Sequence, residues 1–307
     1  MPPSPTSEPA IPRPSASIAI VNARNEVLLV QRNPKTRSFA GVHVFPGGNL
    51  DRAQDGDSLA MTAIRETFEE SGILLASPRS AIPSPSTLET ARRAIHAQRM
   101  RFSEFLAGEG LAADVESLLP FTQWITPVEQ PRRFRTQFFV SFLASPSTSA
   151  DTSSSTFTSG AKHEQLPTPD GGQEVIAARF IRPAAALAEF EAGRISLMPP
   201  QFYILTTLAD VLSGEGNTAG DRQRVAKLAN GAFGAMVINP RRLPDGAADG
   251  ETVLTYEGDE TRGGPPGRRH RAVVRFAKGG ITTHIRLERN FDVFEGLQSA
   301  SSPPSRL

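Results

Sequence analysis

Along the chain, apolar residues first alternate or run together in SIAIVN (17–22) and VLLVQR (27–32), two stretches joined by ARNE; this pattern predicts a β-hairpin. GVHVFPGG (41–48) predicts a third strand ending in a glycine turn. From Ser58 to Ser71 the period becomes helical, with a Ser or Asp cap ahead of it. Met61, Ile64 and Phe68 fall on one face of that helix, and Glu66, Glu69 and Glu70 on the opposite one. Residues 87–110 read as one long amphipathic helix, followed by strands FTQWIT (121–126), RTQFFVSFLA (135–144) and EVIAARFI (174–181). Helices are predicted near 183–192, 199–213 and 220–229, after which TVLTYEG, RAVVRFA and ITTHIRLE return to β character as a small antiparallel addition.

Composition divides the chain further. The Pro/Ser-rich residues 1–15 read as a disordered tail, so order is expected from Ala16. A low-complexity stretch at about 145–172 reads as a mobile insertion within a main domain of residues 16–215; residues 216–300 form a C-terminal extension, and 301–307 a second tail. With 307 residues, 38% of them hydrophobic, a sizeable core can be buried. A net charge of +1 supplies no global field for a polyanion, and only RGGPPGRRHR (262–271) is locally basic, so no nucleic-acid partner is expected. The absence of cysteine excludes disulfides, thiolate metal sites and a cysteine nucleophile. No apolar run approaches a membrane span, and the first residues lack a basic and then apolar leader, so the expectation is a soluble, non-secreted protein with no membrane partner.

The acidic helix face carries the candidate chemistry. Like charges at this spacing destabilise a solvated helix by about 0.2–0.5 kcal/mol per pair. A hard divalent cation, which takes oxygen ligands and commonly bridges carboxylates to substrate phosphates, would offset them. Taken alone, the three acids read first as an ordinary solvated face.

Their surroundings change that. RETFEESGI, with its upstream Gly-Gly turn, resembles the Nudix box, G-x5-E-x7-R-E-U-x-E-E-x-G-U with U a bulky apolar residue. Arg65, Glu66, Glu69, Glu70, Gly72 and Ile73 match. Thr67 stands where U is expected, Asp57 stands where the first glutamate is expected, and Gly48 lies three residues too far upstream, so the turn holds a three-residue insertion. The resemblance implies an α/β fold, the Nudix α/β/α sandwich with a mixed β-sheet, here with a C-terminal α/β extension. It implies a substrate with a nucleoside diphosphate linked to a further moiety, and Mg²⁺ or Mn²⁺ held by Glu66, Glu69, Glu70 and the Gly48 carbonyl. Glu69 and Glu66 become catalytic candidates, and Arg65 the residue that orients the carboxylates, since a guanidinium forks onto two oxygens. The family also brings a carboxylate from a distant loop, for which Glu174 is the first candidate and Glu164 the second; either reads equally as an ordinary loop glutamate.

LLVQRNPKTRSFAGVHVFPGG (28–48) is similar to the signature of the coenzyme A diphosphatases within that group, with Val30 and Asn33 replacing an expected Thr and Ser. Arg32 and Arg37 suit phosphate oxygens, the 3′-phosphate included, or serve as surface partners of nearby acids. FAGVHVFPGGNLD, AIRETFEESGILL, QWITP, PRRFRTQFFV and LMPPQFYILTTLADV look most like the type-19 Nudix subgroup of peroxisomal coenzyme A diphosphatases. Arg133, with Arg132 and Arg135, is either a substrate-binding candidate or an edge strand's charge guard. His43 is assigned nothing. Ser305, Arg306 and Leu307 form a conservative variant of the peroxisomal address, which would make an import receptor a partner and the peroxisome, rather than the cytoplasm, the expected compartment. The expectation is hydrolysis of coenzyme A or acyl-coenzyme A to adenosine 3′,5′-bisphosphate and phosphopantetheine derivatives. The alternatives are an NADH or ADP-ribose diphosphatase and a non-catalytic nucleotide sensor.

Overall fold

The strand β1 (Arg13–Val21) is buried from Ser15 onward and organises the molecule. It is followed by β2 (Val27–Arg32), β3 (His43–Val44), β4 (Gly47–Asn49) and the short helix α1 (Arg52–Asp55). Next come the acidic helix α2 (Leu59–Ser71), β5 (Ile73–Leu74), β6 (Ala76–Pro78), α3 (Pro85–His96), α4 (Phe102–Gly108) and β7 (Leu111–Ala113). The strands β8 (Leu119–Ile125), β9 (Phe134–Phe142), β10 (Phe157–Thr158) and β11 (Val175–Ile181) precede α5 (Pro183–Glu191), α6 (Pro199–Val211), α7 (Ala219–Ala229) and α8 (Ala232–Ala235). The last strands are β12 (Val237–Ile238), β13 (Arg241–Leu243), β14 (Thr252–Thr255), β15 (His270–Phe276) and β16 (Thr282–Arg289). This is a computed structural model, and it describes residues 9–35, 40–78, 83–143, 157–158, 167–172, 174–244, 250–277 and 280–294. Arg37, Glu164, Ser305, Arg306, Leu307 and most of the expected insertion lie outside the described residues.

The main sheet runs β11-β2-β1-β9-β8-β12 and is mixed. β1 pairs in parallel with β9 along its whole length, Arg13↔Phe134 to Val21↔Phe142, and β12 joins β8 in parallel; the hairpin β1–β2 is antiparallel. The other edge of β1 is shared, because β4 takes Ser15–Ser17 antiparallel before β2 takes Val21. Strand pairing therefore extends back to Arg13, three residues before Ala16. Pro14 has no N–H to offer, but its carbonyl accepts from Leu50, and the Arg13 N–H donates to the Arg133 carbonyl.

Side chains alternate across this sheet into two cores. Ala19 and Val21 of β1 and Phe138 and Val140 of β9 face α5–α8, whereas Ala16, Ile18, Ile20 and Phe139 face α2–α4. Helices thus cover both faces, as the expected sandwich requires. The C-terminal sheet β13-β14-β15-β16 does not stand apart: Tyr256, Ala272, Val274 and Ile285 share the first core with Trp124 and Tyr203.

The expected helix over 87–110 is two helices. Residues 97–101 (AQRMR) are all exposed, Gln98 has a positive φ of 55°, and the Arg99 N–H returns to the Ala94 carbonyl. The break lets both apolar stripes reach one cluster: Leu88, Ala91 and Ile95 from α3, and Phe102, Phe105 and Leu106 from α4. Phe105 stacks on Phe68 of α2 with centroids 5.7 Å apart. Among the described residues no helix is long and apolar enough to cross a membrane.

Candidate active site

The acidic helix is fixed at both ends. The Ser58 hydroxyl accepts the Met61 N–H, and Gly72, left-handed at φ 73°, returns its N–H to the Phe68 carbonyl. Ile64 and Phe68 are fully buried beneath it. Thr67, in the slot expected to be apolar, is also fully buried, and its hydroxyl is satisfied by donating to the Ala63 carbonyl at 2.8 Å.

The glycine turn lies directly against the acids. A Cβ on Gly47, whose φ is 155°, would fall 2.2 Å from the Ala16 carbonyl oxygen, and its N–H donates to Glu70 Oε2 at 3.0 Å. A Cβ on Gly48 would fall 2.4 Å from the Glu66 carboxylate. Both positions need glycine because of close approach, one to backbone and the other to the charged face.

Arg65 is the centre of the site. Its Nε and Nη2 donate to the two oxygens of Asp55 at 2.7 and 2.9 Å, its Nη1 donates to Glu69 Oε1 at 2.7 Å, and Nη2 lies 3.0 Å from Glu66 Oε1. Burial works against its charge, but the bonds to Asp55 and the charges of Glu66, Asp55 and Glu69 outweigh it and push its pKa up. Asp55 also accepts the Thr62 hydroxyl and the Asp51 N–H. Asp57, the residue that aligns with the first glutamate of the box, is exposed and among the described residues pairs with the equally exposed Arg52. The carboxylate behind the arginine is therefore contributed two residues earlier, from the short capped helix α1.

Around this centre the other sequence candidates assemble. Glu66 is pushed up to about 7, by burial first and by Glu69 and Glu174, against the pull of Arg65. Glu70 is raised well above the carboxylate range by burial and by Glu66. Arg32 lies between two acids, 3.5 Å from Glu70 Oε1 and 3.6 Å from Glu174 Oε2. The Glu174 side chain is half-exposed at the mouth of the cluster. Glu69 is also met by His96 Nδ1 at 3.2 Å, and that bond pulls the His96 pKa up.

Glu66, Glu69 and Glu70 fit a hard divalent cation. Among the described residues the buried Glu70 Oε1 has no hydrogen-bond partner, and burial, with the charges of neighbouring carboxylates, raises Glu66 and Glu70, a cost that a cation would offset. Among the described residues no three acids or histidines already surround a single point, since Arg65 and Arg32 hold the carboxylates.

Other candidates lie elsewhere. Arg133 is buried, with Nε donating to the Thr126 carbonyl and Nη1 to that of Ala10, so it ties the start of β1 to the β8–β9 turn and does not join the acids. His43 is packed in β3, its pKa lowered to about 4 by burial and then by Arg179. Asp55, Arg92 and His96 belong to the site's surroundings and were not singled out from the sequence. The available signal was the insertion itself, which shifts the supporting carboxylate, and the i, i+4 spacing of Arg92 and His96 on α3.

A family model described as the NUDT19 Nudix domain matches residues 55–208, just over half of the chain. The chain is 30% identical over 202 residues to a putative nudix hydrolase 7 of Caenorhabditis elegans, covering 65% of this chain and 61% of the relative. It is 26% identical over 254 residues to an acyl-coenzyme A diphosphatase NUDT19 of Gallus gallus, covering 61% and 62%. The matched region thus spans about three fifths of the length of these relatives. Among solved structures, a NUDIX hydrolase from Alicyclobacillus acidocaldarius superposes with a TM-score of 0.50 at 24% identity, over 68% of this chain and 99% of that one, which shows the shared fold. The sandwich, the glutamate helix on its glycine turn and the family match agree, and the chain belongs to the NUDT19 Nudix domain family.

Proposed function

We propose that this chain is a Mg²⁺- or Mn²⁺-dependent Nudix diphosphatase that cleaves the diphosphate of coenzyme A or acyl-coenzyme A, giving adenosine 3′,5′-bisphosphate and (acyl-)phosphopantetheine. The observation that carries it is the Glu66, Glu69 and Glu70 face, anchored by Arg65, backed by the Gly47–Gly48 turn and bordered by Arg32 and Glu174. The substrate class is supported by relatives named acyl-coenzyme A diphosphatase and by the 28–48 signature.

In this reading Glu66, Glu69, Glu70 and the Gly48 carbonyl hold the cation, which when bound neutralises diphosphate charge and lowers the pKa of a ligated water. Arg65 keeps Glu69 and Glu66 in fixed orientation with Asp55 as its support, so the carboxylates do not have to reorganise during reaction. Glu174, half-exposed and carried by a segment distant in sequence from the glutamate helix, is proposed to take the proton from the attacking water. Arg32 offers donors to the diphosphate oxygens, and Arg37 is proposed for the 3′-phosphate. Ser305-Arg306-Leu307 is proposed as the segment read by a peroxisomal import receptor.

The test is turnover of coenzyme A, dephospho-coenzyme A, NADH and ADP-ribose side by side with Mg²⁺ and Mn²⁺, with products resolved by chromatography. Coenzyme A should be preferred over its dephospho form. Preference for NADH or ADP-ribose would discard the substrate assignment, and no metal-dependent turnover would favour a nucleotide sensor.

A further inference from the structure

We propose that Arg92 is a positioning residue that ties the segment carrying Glu174 to the end of the glutamate helix; the inference rests on the hydrolase reading above. Arg92 is 4% exposed on α3, yet among the described residues no carboxylate accepts a hydrogen bond from its guanidinium. Its Nε donates to the Glu69 carbonyl at 2.9 Å, Nη1 to the Thr168 hydroxyl at 3.0 Å and Nη2 to the Thr168 carbonyl at 2.7 Å. Glu89 lies 3.7 Å away and is 43% exposed. Burial drives the Arg92 pKa down. The charges of Glu89, Asp170 and Glu69 favour this buried cation, but its hydrogen bonds go to uncharged acceptors, and they bridge α2 to Thr168, 76 positions beyond Arg92 in sequence.

The bridge is completed from the other side, where the Thr168 N–H donates to the Ser71 carbonyl at 2.9 Å. Thr168 is thus held to the last turn of α2 directly at its N–H and through Arg92 at its C=O. Two residues on, Asp170 accepts the N–H groups of Gly172, Glu174 and Val175, the closest at 2.8 Å from Glu174. The Glu174 carbonyl accepts from the Asn33 N–H at 2.7 Å, and Val175 opens β11 opposite Arg32. The chain of contacts runs from α2 through Arg92, Thr168 and Asp170 to Glu174. It delivers a carboxylate beside Arg32 and Glu70 from a segment with no strand or helix of its own. Displacement of a reacting group by about 1 Å can cost on the order of 100-fold in rate, so such a tether belongs to the catalytic geometry without touching substrate.

The experiment compares full-length wild type, Arg92→Met, Glu174→Gln and the double variant for coenzyme A turnover, with amide hydrogen exchange followed over residues 167–175. Arg92→Met should lower kcat roughly 10- to 100-fold with KM changed by less than about threefold. In the Glu174→Gln background the same substitution should cost less than about twofold further, because its effect passes through that carboxylate. The amides of Glu174 and Val175 should exchange faster in Arg92→Met. Independent, multiplicative losses would overturn the proposal and assign the effect to Glu69 or to the fold. Unchanged exchange would overturn it whatever the activity. If Arg92→Met does not fold, Arg92→Lys, which keeps the charge but not the fork, carries the same comparison. If wild type turns over no diphosphate, the hydrolase reading fails and the catalytic role of Arg92 fails with it, while the exchange arm still decides whether the tether exists.

Discussion

Arg65 reaches past Asp57 to Asp55: two guanidinium nitrogens donate to the two Asp55 oxygens at 2.7 and 2.9 Å, while Asp57 points into solvent with Arg52. The aspartate two positions earlier is buried at the C-terminal end of a one-turn helix that the three-residue insertion makes room for. It fixes the arginine that in turn fixes Glu69 and Glu66.

Asp55 and Asp57 should therefore behave oppositely. Asp55→Ala takes away the two-pronged partner of a buried guanidinium, leaving it Glu69 and Glu66, and should cost up to about 3–5 kcal/mol, whereas Asp57→Ala should stay within about 0.5 kcal/mol of wild type. Denaturant unfolding of the two variants measures both. Equal losses would mean that the aligned position supports the site as much as the neighbour the arginine contacts.

The two glycines of the turn separate in the same manner. Gly47→Ala drives a methyl into the Ala16 backbone and should lower the unfolding midpoint, because neither strand can yield. Gly48→Ala meets first the Glu66 carboxylate, the far end of a flexible side chain, and should leave the fold largely intact while weakening Mn²⁺ binding. Paramagnetic titration of Mn²⁺ alongside thermal unfolding distinguishes them; unimpaired Mn²⁺ binding by a folded Gly48→Ala protein would remove that position from the metal site.

Much of this was legible in the sequence because it is local. The hairpin, the glutamate helix with its Ser58 cap and Gly72 stop, and the later helices at 183, 199 and 219 all follow from period, caps and breakers. The break in residues 97–101 was not, since nothing but tertiary packing says that Phe102 and Phe105 must turn back onto Phe68. Asp55 was missed because motif alignment counts positions whereas a guanidinium takes whichever carboxylate lies in its plane. Arg133 looked available as a cation until the carbonyls of Thr126 and Ala10 were seen to occupy it. Pairings across 76 residues, such as Arg92 with Thr168, leave no periodic trace at all.

Acid should destabilise the protein through its C-terminal core. Buried His270 accepts from Tyr203 OH at Nε2 and donates from Nδ1 to the Glu257 carbonyl, and burial lowers its pKa from 6.5 to about 4. The unfolded chain binds the proton more readily, so this contribution is full above pH 6.5 and is lost as pH falls toward 4. Asp259, whose pKa is lowered by Arg271 and backbone N–H groups against the cost of burial, adds a loss of the same sign at lower pH. Glu66 and Glu70, being raised, act in the opposite sense, so the His270 part is read as a difference. Urea unfolding from pH 7.5 to 4.5 should show a shallower pH slope for His270→Phe than for wild type; identical slopes would contradict the assignment.

Deleting Ser305 to Leu307 should leave turnover unchanged and move a tagged protein from peroxisomes to the cytosol. Imaging of the full and shortened proteins decides it, and peroxisomal retention of the shortened one would refute the address.

The most direct measurement of the central claim is coenzyme A hydrolysis by wild type and Glu69→Gln across a Mg²⁺ titration, each protein checked for native unfolding behaviour. The account predicts metal-saturable turnover in wild type, abolished by chelation, and a loss of at least about 100-fold in the folded variant. Near-normal turnover by Glu69→Gln, or turnover by wild type that survives chelation, would contradict it.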